Sequence, residues 1–297
     1  MDLLALADFI LVANHGGFGK AARATGRPKA TMSRRVADLE ASLNLRLFER
    51  GARVIILTEE GRALYERAGR LLAELEETTH AIASGGEHPQ GRLRISAPLL
   101  FSQAAMGKIA GEFALKYPQV KVEVCAEDRA VDMIEEGYDL AIRVNPDPDE
   151  SLIGRAFLQD QLVVVASPTL AKPAADIAVP AIVRSTSTAT VWPMQHAGRT
   201  ESLHIEPVLT LSSVIMIRDA VRAGGGVGCL PISLVSQDVA NGTLCLWGAL
   251  DEPDIRLWAL YPSRRLLSPR VSAFLDFLKT AFPQGSPEEL AAYIAKA

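Results

Sequence analysis

Residues 18–40 read FGKAARATGRPKATMSRRVADLE, and this stretch decides the fold of the N-terminal part of the chain. Small and basic residues up to Thr25 suit a short helix, and Gly26 can adopt the left-handed conformation that ends one. Pro28 has the φ angle that the first turn of a new helix requires. An apolar stripe at helical spacing follows, formed by Met32, Val36, Leu39 and Leu43. The stretch therefore predicts two helices joined by a tight turn, with the second packed inward along its stripe.

The outward face of that second helix is polar and basic. It carries Lys29, Ser33 and Arg34, with Ala30, Thr31 and Arg35 close to the same face. An arginine or lysine on a helix can bond guanine edges in the major groove of DNA, and serine and threonine are shorter readers. We therefore expect this helix to read DNA, the alternative being a basic face that contacts only solvent.

Two flanking segments complete the predicted N-terminal head. Residues 2–13 place apolar side chains at helical spacing until a glycine pair ends the run. The short apolar run 54–57 indicates a two-stranded wing with Arg53 near its tip. We expect Arg53, and Lys20 on the helix before the turn, to contact phosphates or the minor groove, which holds register without reading sequence. The helix-turn-helix and its wing are then complete by residue 58.

A long helix is predicted from Thr58, a suitable N-cap, to about Ser84. Its apolar positions alternate in the heptad spacing of a coiled-coil seam: Leu64, Ala68, Leu71, Leu75, Thr78 and Ile82. We expect Leu64, Leu71, Leu75 and Ile82 to form a dimerisation surface; packing of the helix on its own domain is the alternative. The glycine- and proline-containing segment 85–91 then predicts a hinge.

Charge is distributed unevenly along the 297 residues. Residues 15–58 contain nine basic and three acidic side chains, whereas the whole chain has a net charge of −4. A basic head on an acidic body is typical of a nucleic-acid binder that has a second task.

Composition and cysteine usage exclude several classes of protein. Apolar residues make up 48% of the chain, which is enough for two domains with cores and too many for a disordered or fibrous protein. No apolar run reaches the roughly eighteen residues that span a membrane, and Asp2 and Asp8 stand where a signal peptide would be basic. We therefore expect a cytoplasmic protein without membrane contact. The cysteines Cys125, Cys229 and Cys245 and the five histidines lack metal-ligand spacing, so we expect no metal and no cofactor.

Strand and helix patterns alternate from Arg92 onward. Three strands and two helices are predicted in the order 93–97, 102–117, 120–125, 130–136 and 140–144. This order implies a parallel sheet with helices on both faces. A buried strand at 162–165 begins a second lobe, and the chain returns to the first lobe after a strand at 255–261, with closing helices at 271–282 and near 287–296. Two α/β lobes joined by crossing strands make a cleft.

Several of these motifs resemble those of the LysR-type transcriptional regulators. In the head they are residues 18–22, 28–40, 47–50 and 57–61, and in the C-terminal part they are residues 91–98, 117–120, 137–143 and 226–231. The resemblance covers nearly the whole chain. It implies an α/β multi-domain fold with an N-terminal winged helix-turn-helix, a long linker helix and a two-lobed α/β effector domain like a periplasmic binding protein.

With this resemblance we expect three parts. They are a DNA-binding domain at 1–58, a dimerising linker helix and hinge at 59–90, and an effector-binding domain at 91–297. The first lobe of the effector domain is expected at about 91–161 and 262–297, and the second at about 162–261.

The resemblance also implies a small, often anionic effector between the lobes. Ser96 ends a strand, and Ser102 opens a helix whose free N–H groups favour anions. The expected effector contacts are Ser96, Pro98, Phe101, Ser102, Arg143, Ser185, Thr186 and Ser213. Ordinary capping explains each serine equally well, and the alternative for Arg143 is a structural ion pair with Asp139 or Glu136.

These expectations describe a sequence-specific DNA-binding transcription regulator whose promoter binding is modulated by an effector. The family implies a homodimer or homotetramer on an interrupted palindrome of double-stranded DNA, with RNA polymerase as a further candidate partner. A pure binding protein would leave residues 18–58 without a function.

We expect no enzyme, because no GxSxG motif occurs and the glycine run 224–228 leads from a helix into a strand, the reverse of a phosphate-binding loop. Redox sensing through Cys125 or Cys229 is a variant of the regulator.

Overall fold

The computed structural model describes residues 2–49, 55–83, 89–147, 152–173, 177–196, 198–262 and 267–295. The chain divides into two compact units, Met1–His88 and Pro89–Ala297. No helix among the described residues is long and apolar enough to cross a membrane.

Four helices are described in the first unit: α1 Leu3–His15, α2 Phe18–Thr25, α3 Lys29–Leu43 and α4 Glu59–Ala83. The glycines Gly16 and Gly26 end α1 and α2 with φ angles of 65° and 70°. The predicted stripe of α3 is buried against α1, with Met32, Val36 and Leu39 at most 2% exposed. The prediction of two helices joined by a tight turn is therefore confirmed, and the opposite face of α3 is left outward.

The base of the predicted wing lies within the described residues, and its tip does not. Phe48 and Leu57 form an antiparallel bridge, and the Glu49 N–H donates to the Ile56 carbonyl at 2.9 Å. Arg53 lies outside the described residues, so its phosphate contact stays a prediction.

The first turns of α4 pack on the head. Leu64 packs partly buried against the head core, and Ala68 is 6% exposed. Leu64, expected in the dimer seam, contributes to the core of its own domain, and its place in the seam stays a prediction. Leu71 and Leu75 are 63% and 50% exposed. The side chain of Ile82 lies outside the described residues, so the exposed stripe that the structure describes consists of Leu71 and Leu75.

Eleven strands within the described residues build the second unit. In chain order they are β1 Gly91–Ala97, β2 Val120–Ala126, β3 Leu140–Val144, β4 Leu152–Asp160, β5 Leu162–Ala166, β6 Val179–Arg184, β7 Val191–His196, β8 Arg199–Leu211, β9 Val227–Pro231, β10 Cys245–Leu250 and β11 Ile255–Pro262. The helices are α5 Leu99–Phe101, α6 Gly107–Lys116, α7 Val214–Arg222, α8 Ile232–Ala240, α9 Pro269–Ala281 and α10 Pro287–Ala295, with a π-helical turn Ser102–Met106 between α5 and α6.

The first lobe contains a five-stranded sheet in the order β2-β1-β3-β11-β4. The pairs β1–β2 and β1–β3 are parallel as predicted, whereas β11 is antiparallel to both β3 and β4. The chain therefore returns to the first lobe at Ile255, and the predicted return after Tyr261 is wrong. The physical reason is packing: Leu257 and Ala259 of β11 are buried in the core that α6 and α9 cover.

The helix predicted at 130–136 is also wrong. The segment forms a single turn, in which Asp132 Oδ1 accepts the N–H groups of Ile134 and Glu135 at 2.9 and 2.8 Å. Gly137, with a φ of 72°, then turns the chain toward β3. The Asp132 carboxylate thus caps this one turn, and the Glu136 N–H donates to the Asp132 carbonyl at 2.8 Å.

The second lobe is a closed six-stranded barrel in the order β10-β5-β9-β6-β8-β7, in which β10 also pairs with β7. Helices α7 and α8 pack on it through Ile217, Val221 and Val235. The glycine run connects α7 to β9, and a Cβ at Gly226 would lie 2.5 Å from the Pro180 carbonyl oxygen. The glycine there allows close backbone packing. Two crossings, from β4 to β5 and from β10 to β11, join the lobes.

Candidate functional site

The outward face of α3 is the first candidate site. Lys29, Ala30, Ser33 and Arg34 are exposed, as is Lys20 on α2. Thr31 and Arg35 are half-buried at the edge of this face. Burial of the opposite stripe holds α3 rigidly on α1, so the exposed side chains project from a fixed support.

The start of α3 adds backbone donors to this face. Pro28 is its N-cap, and no side chain within the described residues caps the first turn. The first N–H groups of a helix lack intrahelical partners and carry a partial positive charge, which suits phosphate. The N-terminal turn of α3 therefore combines backbone donors with the side chain of Lys29.

Arg35 has a structural partner that the sequence did not suggest. Its Nη1 lies 3.1 Å from Oδ2 of Asp8, a fully buried carboxylate on α1. The other carboxylate oxygen of Asp8 accepts from Arg27 Nη1 at 2.5 Å. Arg35 thus ties α3 to α1, and a contact with DNA would be a second role for it. Sequence reasoning missed Asp8 because a single acidic residue on an apolar helix has no motif.

A cavity of about 620 Å³ between the two lobes of the second unit is the second candidate site. Its volume suits a small molecule, since such sites commonly enclose 300–1,000 Å³. Most of its lining is apolar, including Phe101, Ile182 and Trp192. Of the eight residues expected to contact an effector, five line the cavity: Pro98, Phe101, Arg143, Thr186 and Ser213.

Three of the expected contact residues do not line the cavity. Ser96 is fully buried and bonds within the protein, donating to Glu127 Oε1 at 3.1 Å and accepting from Arg143 Nη2 at 2.7 Å. Ser102 lies in the π-helical turn and donates to the Ala97 carbonyl at 3.3 Å. Ser185 is exposed on the turn after β6. The bonds of Ser96 and Ser102 lie within the first lobe, and neither is the capping bond that was the alternative from the sequence.

The helix expected to open at Ser102 begins instead at Leu99, with Pro98 as its N-cap. Asp128 Oδ1 accepts the Leu99 N–H at 2.9 Å. A carboxylate of the protein therefore occupies the position at which the free N–H groups were expected to attract an anionic ligand. The two residues are 29 positions apart, so no local pattern revealed this contact.

Arg143 lies at the cavity wall without the ion pairs considered from the sequence. Its Nη1 donates to the Ile142 carbonyl at 2.6 Å, and its Nη2 donates to Ser96. Asp139 pairs instead with Arg270, and Glu136 with Arg129. Burial lowers the pKa of Arg143, and the nearby carboxylate of Glu127 opposes this effect. The guanidinium remains charged at neutral pH, because arginine starts from a very high pKa.

Among the described residues that line the cavity, acidic side chains outnumber basic ones. The carboxylates are Glu127, Asp128, Asp160 and Glu252, and the guanidinium groups are Arg143 and Arg184. Asp160 is buried, which raises its pKa, and it accepts a bond from the Ser233 hydroxyl. Sequence reasoning missed Asp160, although its place just before the β4–β5 crossing is a signal that points to the junction of the lobes.

The cavity also contains a cysteine. Cys229 lines the wall, and burial raises the pKa of its thiol to about 12. A protonated thiol is a poor nucleophile and oxidises slowly. This environment argues against Cys229 as a redox sensor.

Both units match known proteins. The family model for the bacterial regulatory helix-turn-helix protein, lysR family, matches residues 3–62, and the LysR substrate binding domain matches residues 86–283. The transcriptional regulator PtxR of Pseudomonas aeruginosa is 30% identical over 288 residues, covering 94% of this chain and 92% of PtxR. The regulator DmlR of Escherichia coli is 29% identical over 288 residues, which is 94% of each chain.

Solved structures also match nearly the whole chain. AphB of Vibrio cholerae, a virulence activator, is 28% identical with a TM-score of 0.56 and covers 95% of this chain and 100% of AphB. CrgA of Neisseria meningitidis is 27% identical with a TM-score of 0.56 and covers 98% of this chain and 99% of CrgA. The combination of a helix-turn-helix head with a two-lobed α/β domain is therefore shared with solved transcription regulators.

Proposed function

The chain belongs to the LysR family of transcriptional regulators, and on that premise we propose that α3 reads an interrupted palindrome in double-stranded DNA under the control of a small molecule bound between the lobes. One observation carries the DNA half of this proposal. Met32, Val36 and Leu39 bury one face of α3, while Lys29, Ser33 and Arg34 are exposed on the other. We propose a regulator rather than an enzyme, and we place it in the cytoplasm, where DNA is accessible. This function gives a use to both the DNA-binding unit and the cavity-containing unit.

Within this proposal, Arg34 contributes sequence specificity. Its guanidinium can donate two bonds to the O6 and N7 atoms of guanine, a pairing that discriminates between bases by about 1–3 kcal/mol. Lys29 enters the major groove beside Arg34. Lys20 and Arg53 hold the register through phosphates or the minor groove. Thr31, Ser33 and Ala30 complete the reading face, where a small side chain permits close approach to the bases.

Selection of random duplex DNA by the purified protein tests this reading. Wild-type protein should enrich an interrupted palindrome, and Arg34→Ala should lose the preference for one base pair in each half-site while retaining salt-sensitive binding. Arg199→Ala, which removes an exposed arginine from β8, serves as the control and should select the wild-type sequence. Equal enrichment by wild type and Arg34→Ala would refute the role of Arg34.

A palindromic site requires two heads, and the exposed stripe of α4 can supply the contact between them. Leu71 and Leu75 lie four residues apart, as neighbouring positions of a heptad seam do, and are both at least half exposed. We propose that they pair with a second copy to form a homodimer, with a homotetramer as the larger assembly. RNA polymerase is the further partner, through which the bound protein would act on transcription.

The effector we propose has an apolar body and one anionic group. The apolar lining, including Trp192 and Phe101, suits the body. Asp128 already occupies the start of α5, so the anionic group belongs elsewhere. Ser213 at the start of α7 makes no capping bond with its side chain, and it lines the cavity together with Arg184. Arg143 provides a second positive charge on the opposite lobe.

A thermal-shift series tests this chemistry. Small branched and aromatic monocarboxylates should raise the midpoint of unfolding, and the matching primary amines should not. Arg184→Gln should abolish the shift, whereas Arg256→Gln, at an exposed arginine outside the cavity lining, should retain it. Stabilisation by the amines and not by the acids would instead assign the four carboxylates as the ligand contacts.

The position of the cavity suggests how a ligand would act. Asp160 and Ile255, which flank the two crossings between lobes, both line it. A ligand that contacts both lobes favours the arrangement in which both sets of contacts form. We propose that this shift changes the spacing of the paired heads on DNA and thereby changes promoter occupancy or bending.

A further inference from the structure

Asp8 is a fully buried carboxylate in the head of the protein. It lies on α1, among the apolar side chains Leu6, Phe9 and Val12 that pack against α3. An ionised carboxylate in such surroundings is costly unless it is paired and hydrogen-bonded. A buried aspartate here therefore points to a role in which its charge matters, since an apolar residue of similar size would pack without that cost.

The partners of Asp8 come from the two parts of the helix-turn-helix nearest the proposed DNA face. Arg27 belongs to the turn just before α3, and Arg35 lies on α3 itself. Each oxygen of Asp8 takes one guanidinium, at 2.5 Å from Arg27 Nη1 and 3.1 Å from Arg35 Nη1. One carboxylate thus bridges the turn and the proposed reading helix.

Both arginines remain partly accessible. The side chains of Arg27 and Arg35 are 41% and 33% exposed, although their partner is 0% exposed. A guanidinium carries five N–H donors in a rigid plane, so a bond through Nη1 leaves other donors available. An anchored plane presents these donors in a fixed direction, which an unanchored arginine does not.

We propose that Asp8 is a positioning residue for DNA recognition, which orients Arg27 and Arg35 so that each binds a backbone phosphate only when α3 is in register with its site. This inference rests on the DNA reading proposed above. Phosphate contacts of fixed geometry favour the one docking position in which all of them form, whereas mobile arginines bind phosphates in any position. Asp8 thus raises the ratio of specific to non-specific affinity and lowers non-specific affinity by neutralising one positive charge.

Asp8→Asn tests the proposal, because it removes the charge and retains the shape. Asp2→Asn is the matched control: Asp2 is the exposed N-cap of the same helix, its side chain accepts the Leu4 N–H, and asparagine caps equally well. Both variants change the net charge equally. Affinity is measured across a salt series for the palindrome that wild type selects and for a scrambled duplex.

We expect Asp8→Asn to bind the scrambled duplex more tightly, with a salt slope steeper by about one phosphate contact. Its ratio of specific to scrambled affinity should fall about tenfold, while Asp2→Asn should match wild type in both quantities. A folded Asp8→Asn, as judged by circular dichroism, with the ratio and slope of Asp2→Asn would overturn the proposal. A wild type that enriches no duplex would instead overturn the DNA reading itself, and this inference with it.

A second pair of variants decides the matter if Asp8→Asn does not fold. Arg27→Gln leaves Asp8 paired with Arg35, and Arg23→Gln removes an exposed arginine from α2. Arg27→Gln should reduce affinity for the palindrome about tenfold more than affinity for the scrambled duplex. Arg23→Gln should affect both duplexes alike. Equal losses on the two duplexes for Arg27→Gln would overturn the proposal.

Discussion

Replacing Gly61 with alanine should destabilise the head, although the same change is usually favourable in a helix. A Cβ at Gly61 would lie 2.8 Å from the Leu47 carbonyl carbon and 3.0 Å from its Cα, with the carbonyl oxygen closer still. That oxygen accepts the Thr58 N–H at 3.1 Å. Because every one of these atoms is backbone, no side-chain rotation can relieve the overlap. The strand at the base of the wing would have to move away from α4.

The magnitude follows from opposing terms. Alanine gains at most about 1 kcal/mol over glycine in a helix. Carbon atoms pack at about 3.5–4.0 Å, so the backbone must shift by about 1 Å, and overpacking of this kind costs about 1–3 kcal/mol. Loss of the Thr58–Leu47 hydrogen bond adds about 1 kcal/mol. We therefore expect a net loss of about 2 kcal/mol in the free energy of unfolding.

Gly69→Ala is the matched control on the same helix. Its nearest neighbour would be Ile10 Cδ1 at 4.0 Å, so we expect a gain of up to about 1 kcal/mol. Urea unfolding of the full chain, followed by circular dichroism at 222 nm, distinguishes the two signs. Gly61→Ala should lower the midpoint of the head transition by about 1 M. A midpoint equal to or above that of wild type would refute the packing argument.

Three further predictions concern the charge, the thiol and the assembly. Burial raises the folded-state pKa of Asp160 above its ordinary value of 3.8. Between these two pKa values the folded protein holds a proton that the unfolded chain releases, so the free energy of unfolding falls as pH rises. This loss of stability with rising pH should be absent in Asp160→Asn when melting temperatures of the variant and wild type, followed by tryptophan fluorescence, are compared from about pH 4 to pH 7. The same pH dependence in both proteins would contradict the prediction. Because the pKa of Cys229 is about 12, Cys229→Ser should not change the number of thiols that a disulfide reagent modifies rapidly at neutral pH; loss of one fast thiol would show that it is reactive. Leu71→Asp should weaken self-association in sedimentation velocity, whereas Ile177→Asp, at an exposed apolar residue of the second unit, should not; identical sedimentation of both variants and wild type would argue against the α4 seam.

The head was predictable because its decisive interactions are local. The stripe Met32, Val36 and Leu39 defines the buried face of α3, and helical geometry then determines which residues are exposed. The glycine ends of α1 and α2 follow from the single residue type that tolerates their backbone conformation. The partners of Arg35 and Leu64 were not predictable, because each depends on how another helix packs.

The effector cavity was predictable only in outline. Alternating strands and helices indicate two lobes, and five of the eight expected contact residues line the cavity between them. Two of the errors come from competition by groups distant in the chain. Asp128 reaches the start of α5, and Glu127 and Arg143 enclose the Ser96 hydroxyl. A serine at a strand end has the same local sequence whether its hydroxyl contacts a ligand or a neighbouring strand.

The sequence by itself determined the family, the order of the helices in the head, and the basic face of α3. These features depend on periodicity, glycine positions and charge within short stretches, and each of these acts on the backbone or side chains of the same stretch. Only the tertiary structure decided that β11 belongs to the first lobe, that Asp8 joins Arg27 to Arg35, and that acidic groups predominate in the cavity lining. Each of these depends on contacts between residues far apart in the chain, where burial and hydrogen bonding, rather than local preference, select the partner.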